Sequence, residues 1–476
     1  MKNIHQIRTS TGNCYLYNLE KKRLFLISPN LAATINGELE GMDSSTIEYY
    51  KKKLLYLKKH KLQTKIFPKR QITSITPEMV ESNLINTHQI CFEVTDKCNL
   101  ACVYCAYRDM YNDYDKRIGQ NLDTKEAISI LNKMNKLWIS EKNTSYNKTV
   151  DIAFYGGEPT LNMEFVEAII NHIRSLKVTN RLFTFSMTTN GILLNRYMDF
   201  LAQNNVRLLI SLDGDEVGNA YRVDYNGKSA FERIVSNVVL LRETYPKYFN
   251  DCVRFNAVLH DKNPLKNIYD YFSVMFHKAP RVNFLSSSGR SKEKESLFQS
   301  MSSNVKEELK NKKFGRKIAK WMGLEAPGYL DFIYFAYQSM GNVYDNYNDL
   351  ISDRKQITYI PTGTCLPFSR KIFVTVNSKI LPCERVGQNF VLGYLSNSLD
   401  YLGIANKYNT LLNSMTKLCK LCYGYEFCST CLLNSNGKCK DFMDENSFLK
   451  WLQRNIETME NSPKDIFKVI NKVKIV

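Results

Sequence analysis

The chain has 476 residues, 44% of them apolar, enough for packed cores and too many for one ordinary domain, so two or three domains are expected. Its 65 Lys and Arg against 47 Asp and Glu give a formal charge of +18 at pH 7, which favours acidic partners. The basic residues are scattered rather than gathered into an Arg-rich arm and no nucleic-acid motif stands out, so no nucleic-acid partner is expected and an acidic peptide suits the surface as well.

Residues 1–12 are polar and lack the apolar core of a signal peptide, and no apolar stretch reaches membrane-spanning length. A cytoplasmic protein without a membrane partner is expected, in a compartment that keeps thiols reduced; there, 13 clustered cysteines argue for metal. Residues 1–85 read as a small separate domain. Polar and apolar residues alternate over 13–27 around Asn18-Leu19-Glu20-Lys21-Lys22, which predicts a hairpin, and the apolar spacing over 45–60 predicts a helix. Cys14 stands alone and is expected to be a buried apolar residue.

An apolar run at 90–94 then leads into Cys98, Cys102 and Cys105, a C-x3-C-x2-C spacing. A cubane iron-sulfur cluster has four irons and is usually held by four Cys, so a loop with three leaves one iron for an outside ligand. Zinc is the alternative, but zinc spacings usually come as two C-x2-C pairs, and this loop has no fourth Cys or His nearby.

From about 88 to 286 strand and helix alternate. Strand-length apolar runs lie at 90–94, 151–155, 183–188, 207–212, 253–259 and 281–285, and helical patterns lie between them at 124–139, 163–176, 194–204, 230–245 and 265–276. Six β-α units in series predict an α/β fold with a parallel sheet, as a partial barrel with its site at the carboxyl ends of the strands. The second strand ends in Tyr155-Gly156-Gly157-Glu158-Pro159, where the glycines allow close backbone approach and Glu158 offers a carboxylate to an ammonium. The third ends in Thr188-Thr189-Asn190-Gly191 and the fourth in Ser211-Leu212-Asp213-Gly214. Each is an ordinary turn sequence alone; recurrence at successive strand ends marks a site. Asn256, inside the fifth strand, faces either that site or away from it.

Residues 291–358 interrupt the pattern as a helical insertion or linker, Lys-rich up to Trp321, with an aromatic patch of Phe332, Phe335 and Tyr337 expected to be core. The last segment carries Cys365 and Cys383, then Cys419, Cys422, Cys428, Cys431 and Cys439, a density that suits two zinc ions or two four-iron clusters with one position short.

The Cys98 loop with Tyr104 before its last cysteine, followed about fifty residues later by Gly156-Gly157-Glu158-Pro159, resembles the radical S-adenosylmethionine (radical SAM) enzymes. The resemblance implies that Cys98, Cys102 and Cys105 hold a 4Fe-4S cluster whose fourth iron is chelated by the methionine end of S-adenosylmethionine. One electron then cleaves the sulfonium to a 5′-deoxyadenosyl radical that takes a hydrogen atom from the substrate. It also implies that Tyr104, Gly156, Gly157 and Glu158 belong to the cofactor pocket, that Ser211 and Arg222 bind the ribose and methionine carboxylate, and that Asn190 and Asp213 line the same pocket. Residues 1–85 are similar in layout to winged-helix elements that bind a leader peptide by strand addition, a structural cap being the other reading.

The C-terminal cysteine pattern, with Leu381-Pro382-Cys383 before Phe390-Val391-Leu392-Gly393, is similar to a SPASM domain, which binds two auxiliary 4Fe-4S clusters. The resemblance assigns Cys365, Cys383 and Cys431 to one cluster, with one iron left open, and Cys419, Cys422, Cys428 and Cys439 to the other. Glu384 falls where sulfatase-maturing relatives carry an aspartate base, and a carboxylate there can accept a proton as substrate is oxidised.

The expected architecture is a hairpin-plus-helices domain (1–85), a partial (β/α)6 TIM-like barrel (86–290), the insertion (291–358), a cysteine-rich cluster-binding domain (359–445) and a C-terminal helix (446–476). The expected function is oxidative modification, such as a thioether crosslink, of a ribosomally made precursor peptide with a leader. S-adenosylmethionine and three 4Fe-4S clusters are the cofactors, and a ferredoxin- or flavodoxin-like protein is the electron donor. The rivals are an anaerobic sulfatase-type formylglycine-generating enzyme and, in another class, a zinc-stabilised peptide- or nucleic-acid-binding module.

Overall fold

The computed structural model describes residues 4–19, 22–59, 73–144, 148–178, 181–286, 289–302, 332, 335–336, 366–425, 428, 430–439 and 441–464. The Lys-rich stretch before Trp321, Tyr337 and Cys365 lie outside them. The chain divides into two compact units, one made of 1–74, 311–364 and 411–476, the other of 75–310 and 365–410.

In the first unit the predicted hairpin forms, with β2 (Cys14–Asn18) antiparallel to β3 (Arg23–Ile27). A strand not anticipated, β1 (Ile4–Arg8), pairs with the other edge of β2 and makes a three-stranded sheet. Cys14 is buried, as its isolation suggested. The predicted helix forms at Ser44–Lys59 with no buried residue. Tyr15 and Tyr17 of β2 pack into one core with Phe332 and Phe335 and with Phe448 and Trp451 of the helix Glu445–Asn461, so these two members of the aromatic patch, Phe332 and Phe335, are core as expected.

The second unit is built on a nine-stranded sheet. Six parallel strands stand in chain order: β4 (Gln89–Thr95), β5 (Lys148–Gly156), β6 (Arg181–Thr189), β7 (Arg207–Ser211), β8 (Val253–Leu259) and β9 (Arg281–Phe284). The predicted connecting helices form at Thr124–Trp138, Met163–Ser175, Leu194–Gln203, Phe231–Thr244 and Leu265–Phe276. An extension not expected from the sequence lies beyond β4, where β10 (Ile372–Val374) runs parallel to it and β11 (Lys379–Leu381) and β12 (Gly393–Tyr394) follow antiparallel.

The strand alternation separates two faces. Ile90, Phe92 and Val94 of β4, Ile210 of β7 and Phe255 and Ala257 of β8 are fully buried. Cys91 of β4, Asp151 and Tyr155 of β5, Ser186 and Thr188 of β6 and Arg207 of β7 instead line a cavity of about 640 Å³. A parallel sheet covered on both faces by helices reads apolar throughout; here one face mixes polar with apolar side chains and lines a cavity open to solvent on one side.

Candidate active site

The sheet places the candidate site residues at the carboxyl ends of β4 to β7. Where β4 ends, its register with β5 shifts between Glu93 and Thr95, and the chain leaves the sheet into the cysteine loop. The loop is fixed by backbone hydrogen bonds from Ala101 N to Val223 O (2.6 Å) and from Val103 N to Tyr221 O (3.0 Å). Cys98, Cys102 and Cys105 are all partly exposed.

The Gly156-Gly157 turn lies against this loop. Gly157 N donates to Thr95 O and Glu158 N to Lys97 O, both at 2.8 Å. A Cβ on Gly157 would overlap the backbone of Lys97, and Gly156 combines φ +130° with close approach to Thr95 O. The close approach these glycines permit in the structure is thus between two loops of the chain itself.

Glu158 is fully buried, and its carboxylate joins strand ends. Oε1 accepts from Thr160 N (3.1 Å), Thr160 Oγ1 (2.7 Å) and Thr189 Oγ1 (2.7 Å), and Oε2 from Asn190 N (2.7 Å). Burial pushes its pKa up, against the downward pull of these bonds. Asn190 reaches back to the cysteine loop, donating Nδ2 to Asn99 Oδ1 (2.7 Å) and lying 3.8 Å from Cys98 Sγ.

Ser211 ends β7 and is partly exposed. Asp213, two residues on, is fully buried beneath Arg222 and Tyr104. Arg222 donates Nε to Asp213 Oδ2 (3.0 Å) and a terminal nitrogen to Oδ1 (2.9 Å), Val258 N donates to Oδ1 (2.9 Å), and the Tyr104 hydroxyl donates to Oδ2. Burial lowers the guanidinium's pKa, but Asp213 outweighs it and holds Arg222 above its ordinary value. His260 Nε2 lies 4.0 Å from Asp213 Oδ2, and burial depresses the imidazole's pKa. His260 follows an apolar strand with no motif around it, so nothing in the sequence marks it as part of the site.

The donor set suits a thiolate-held cluster. Burial pushes Cys98 up and Cys102 up to about 12, so metal must displace their protons. Two cations stand by to offset the resulting charge: Arg222, which acts on Cys102, and Arg117, which lies 3.9 Å from Cys105 Sγ. Among the described residues no three His, Cys, Asp or Glu side chains gather closely enough to hold one metal ion.

Glu384 lines the chamber, 17% exposed, and Lys371 Nζ donates to its Oε2 at 2.7 Å. Burial raises the carboxyl, the Lys371 charge outweighs it, and the net direction is down. Neither Lys371 nor Cys91, which lines the same wall, was singled out in the sequence; the polar alternation of Gln89, Cys91 and Glu93 along β4 was the available signal. Cys383 precedes Glu384, and its sulfur accepts from Arg385 N at 3.1 Å. In the other unit Cys419 and Cys422 are buried, Cys428, Cys431 and Cys439 are partly exposed, and Cys422 is raised by burial and by the nearby Cys428 and Cys439.

Residues 92–268 match the radical SAM superfamily model. Among curated proteins, the chain is 26% identical over 275 residues to a radical SAM cyclopropyl synthase of Paramaledivibacter caminithermalis, covering 55% of this chain and 54% of that protein. It is 33% identical over 159 residues to a cysteine-type anaerobic sulfatase-maturating enzyme of Clostridium novyi, covering 32% and 40%. The chain thus spans about half or less of the length of these relatives. Among solved structures, native anSMEcpe with bound AdoMet and the Cp18Cys peptide aligns over 80% of this chain and 99% of that one, with a TM-score of 0.55 and 19% identity, a likeness of fold.

Proposed function

From the radical SAM domain that residues 92–268 form, we propose that the chain is a peptide maturase, installing an oxidative modification such as a thioether or other crosslink in a ribosomally made precursor peptide. The observation that carries the proposal is the cavity of about 640 Å³, lined by polar and apolar side chains, on the sheet that bears the cysteine loop, with the Lys371–Glu384 pair in its wall. Packed helices alone would need no such face.

When bound, the 4Fe-4S cluster and S-adenosylmethionine supply the one-electron chemistry that removes a hydrogen atom from the substrate. In this proposal Cys98, Cys102 and Cys105 hold the cluster, and the pocket beside it comprises Tyr104, Gly156, Gly157, Asn190, Ser211 and Arg222. Glu158 and Asp213, both fully buried, support that pocket from beneath. Arg222 meets the methionine carboxylate, its direction set by the two hydrogen bonds to Asp213. Glu384 takes a proton from the substrate as it is oxidised; its pairing with Lys371 keeps the carboxylate ionised despite its burial.

Two auxiliary 4Fe-4S clusters belong to the same proposal, one held by Cys365, Cys383 and Cys431, the other by Cys419, Cys422, Cys428 and Cys439. A low-potential ferredoxin- or flavodoxin-like donor feeds the radical-generating cluster, and residues 1–85 receive the leader. The work is done in the cytoplasm.

The test is anaerobic reconstitution followed by assay of 5′-deoxyadenosine and of peptide mass, with a leader-bearing precursor encoded beside this chain and with short sulfatase-type peptides. Release of 5′-deoxyadenosine together with a mass loss in the precursor is expected. A Cys98→Ala variant of undiminished activity would overturn the assignment. Conversion of the sulfatase-type peptide alone would favour formylglycine formation, and zinc without sulfide in the purified protein would favour a binding module.

A further inference from the structure

The amino end of the chamber is cationic. Arg207, Arg254 and Arg281 belong to three neighbouring parallel strands, β7, β8 and β9, and all three line the cavity. Strand register puts them on one face: Leu209, two residues after Arg207, is opposite Arg254, and Asn256, two residues after Arg254, is opposite Arg281. The arginines therefore step diagonally across the sheet, their Cα atoms about 8 Å apart from strand to strand.

All three are solvent-exposed at the mouth of the cavity, where they are open to an incoming anion, and like charges side by side on a sheet favour opposite charge beside them. Arg207 has its partner, Asp151 Oδ1 at 2.7 Å. Arg254 donates to two backbone carbonyls, of Asn250 (3.0 Å) and Val253 (2.8 Å). Among the described residues neither Arg254 nor Arg281 has a carboxylate within ion-pair distance, although Asp251 lines the same cavity. Nearby, burial lowers the pKa of Lys278 to about 8, and Arg254 adds to the fall in spite of Asp251. The same cavity runs on to Lys371 and Glu384.

We propose that Arg254 and Arg281 bind a carboxylate of the substrate peptide, fixing the segment to be modified in the chamber. A guanidinium matches a carboxylate in two parallel hydrogen bonds, which supplies orientation as well as charge. This rests on the peptide-maturase function proposed above and adds a substrate class to it: a peptide with Asp or Glu a few residues away from the reacting one, as the length of β8 between Arg254 and the carboxyl-end site requires, or one that presents its C-terminal carboxylate.

The experiment uses the full chain, prepared anaerobically, and calorimetric titration with three probes: acetyl-Gly-Gly-Asp-Gly-Gly-Cys-Gly-amide, its Asn counterpart, and the all-Gly counterpart with a free C-terminal carboxylate. At least one carboxylate probe is expected to bind about tenfold tighter than the Asn amide, a ratio equivalent to about 1.4 kcal/mol. The preference should shrink with added salt and be lost in the R254Q/R281Q variant, while R254K/R281K, which keeps the charge, retains part of it. Which probe gains identifies the carboxylate's source. Equal or undetectable binding of all three probes overturns the proposal, as does a preference that survives in R254Q/R281Q. The wild-type comparison stands even where a variant fails to fold. Because binding is read without turnover, a chain that selects acidic probes yet gives no spectral response to S-adenosylmethionine would separate failure of the radical enzymology from failure of this site.

Discussion

Asp213 grips Arg222 from below with both carboxylate oxygens, at 2.9 and 3.0 Å, and the same carboxylate receives the Tyr104 hydroxyl from the cysteine loop. One fully buried acid thereby ties the loop that carries the thiols to the cation proposed to meet the cofactor's carboxylate. Asn in its place keeps the shape and removes the charge, leaving the guanidinium buried without a counter-ion, a change that costs about 3–5 kcal/mol when a buried pair is broken. The D213N variant is expected to unfold at lower urea concentration. Its affinity for S-adenosylmethionine, measured on reconstituted protein by equilibrium dialysis, should fall by about tenfold or more.

Gly157 offers a second test at the opposite side of the loop. A methyl group there overlaps the Lys97 backbone, which is not a flexible side chain that can turn aside. Overpacking of this kind costs about 1–3 kcal/mol and is relieved by moving one chain segment. The segment able to move is the cysteine loop, so G157A is expected to bind less iron and sulfide per chain and to show a diminished cluster signal by electron paramagnetic resonance.

The six strands and five connecting helices are legible because each helix carries an apolar stripe on one face, and one of them adds a capping residue. Thr124–Trp138 starts where Asp123 caps the amides of Lys125 (2.7 Å) and Glu126 (3.1 Å). The strand Ile372–Val374 was not legible: three apolar residues have no period, and its place beside β4 is set by pairing with residues nearly three hundred positions earlier. The site divides the same way. The loop cysteines and the Gly-Gly-Glu-Pro turn are contiguous and carry their spacing with them, whereas Lys371 becomes the partner of Glu384 only when two chain segments meet, and the pairing of Asp213 with Arg222 likewise needs the fold.

The Lys371–Glu384 pair makes a prediction about coupling. If Glu384 is the proton acceptor for the substrate, E384Q should lower modified-peptide formation by roughly 10²–10⁴-fold. Cleavage of S-adenosylmethionine, which uses the cysteine loop, should continue in that variant, so the ratio of 5′-deoxyadenosine to modified peptide rises. K371M should shift the ratio in the same direction through loss of the 2.7 Å bond to Glu384. A merely structural role would lower both products together, and mass spectrometry of one reaction mixture reads both.

Glu460 predicts how the first unit responds to acid. Its carboxylate accepts from Thr9 (3.1 Å), Thr11 (2.9 Å), Asn13 (2.8 Å) and Tyr15 (2.8 Å), gathering the β1–β2 turn and the start of β2 onto the helix Glu445–Asn461. Burial raises its pKa, but these four bonds outweigh it and the net direction is below the ordinary 4.5. A carboxyl whose folded-state pKa is depressed stabilises the fold fully above its unfolded value and loses that stabilisation as pH falls through the folded value. Amide exchange in residues 4–18 should therefore quicken as pH drops below about 4.5, after correction for the intrinsic rate. In E460Q the protection should already be lower at pH 7, by about 1–3 kcal/mol, and this component of the acid dependence should vanish.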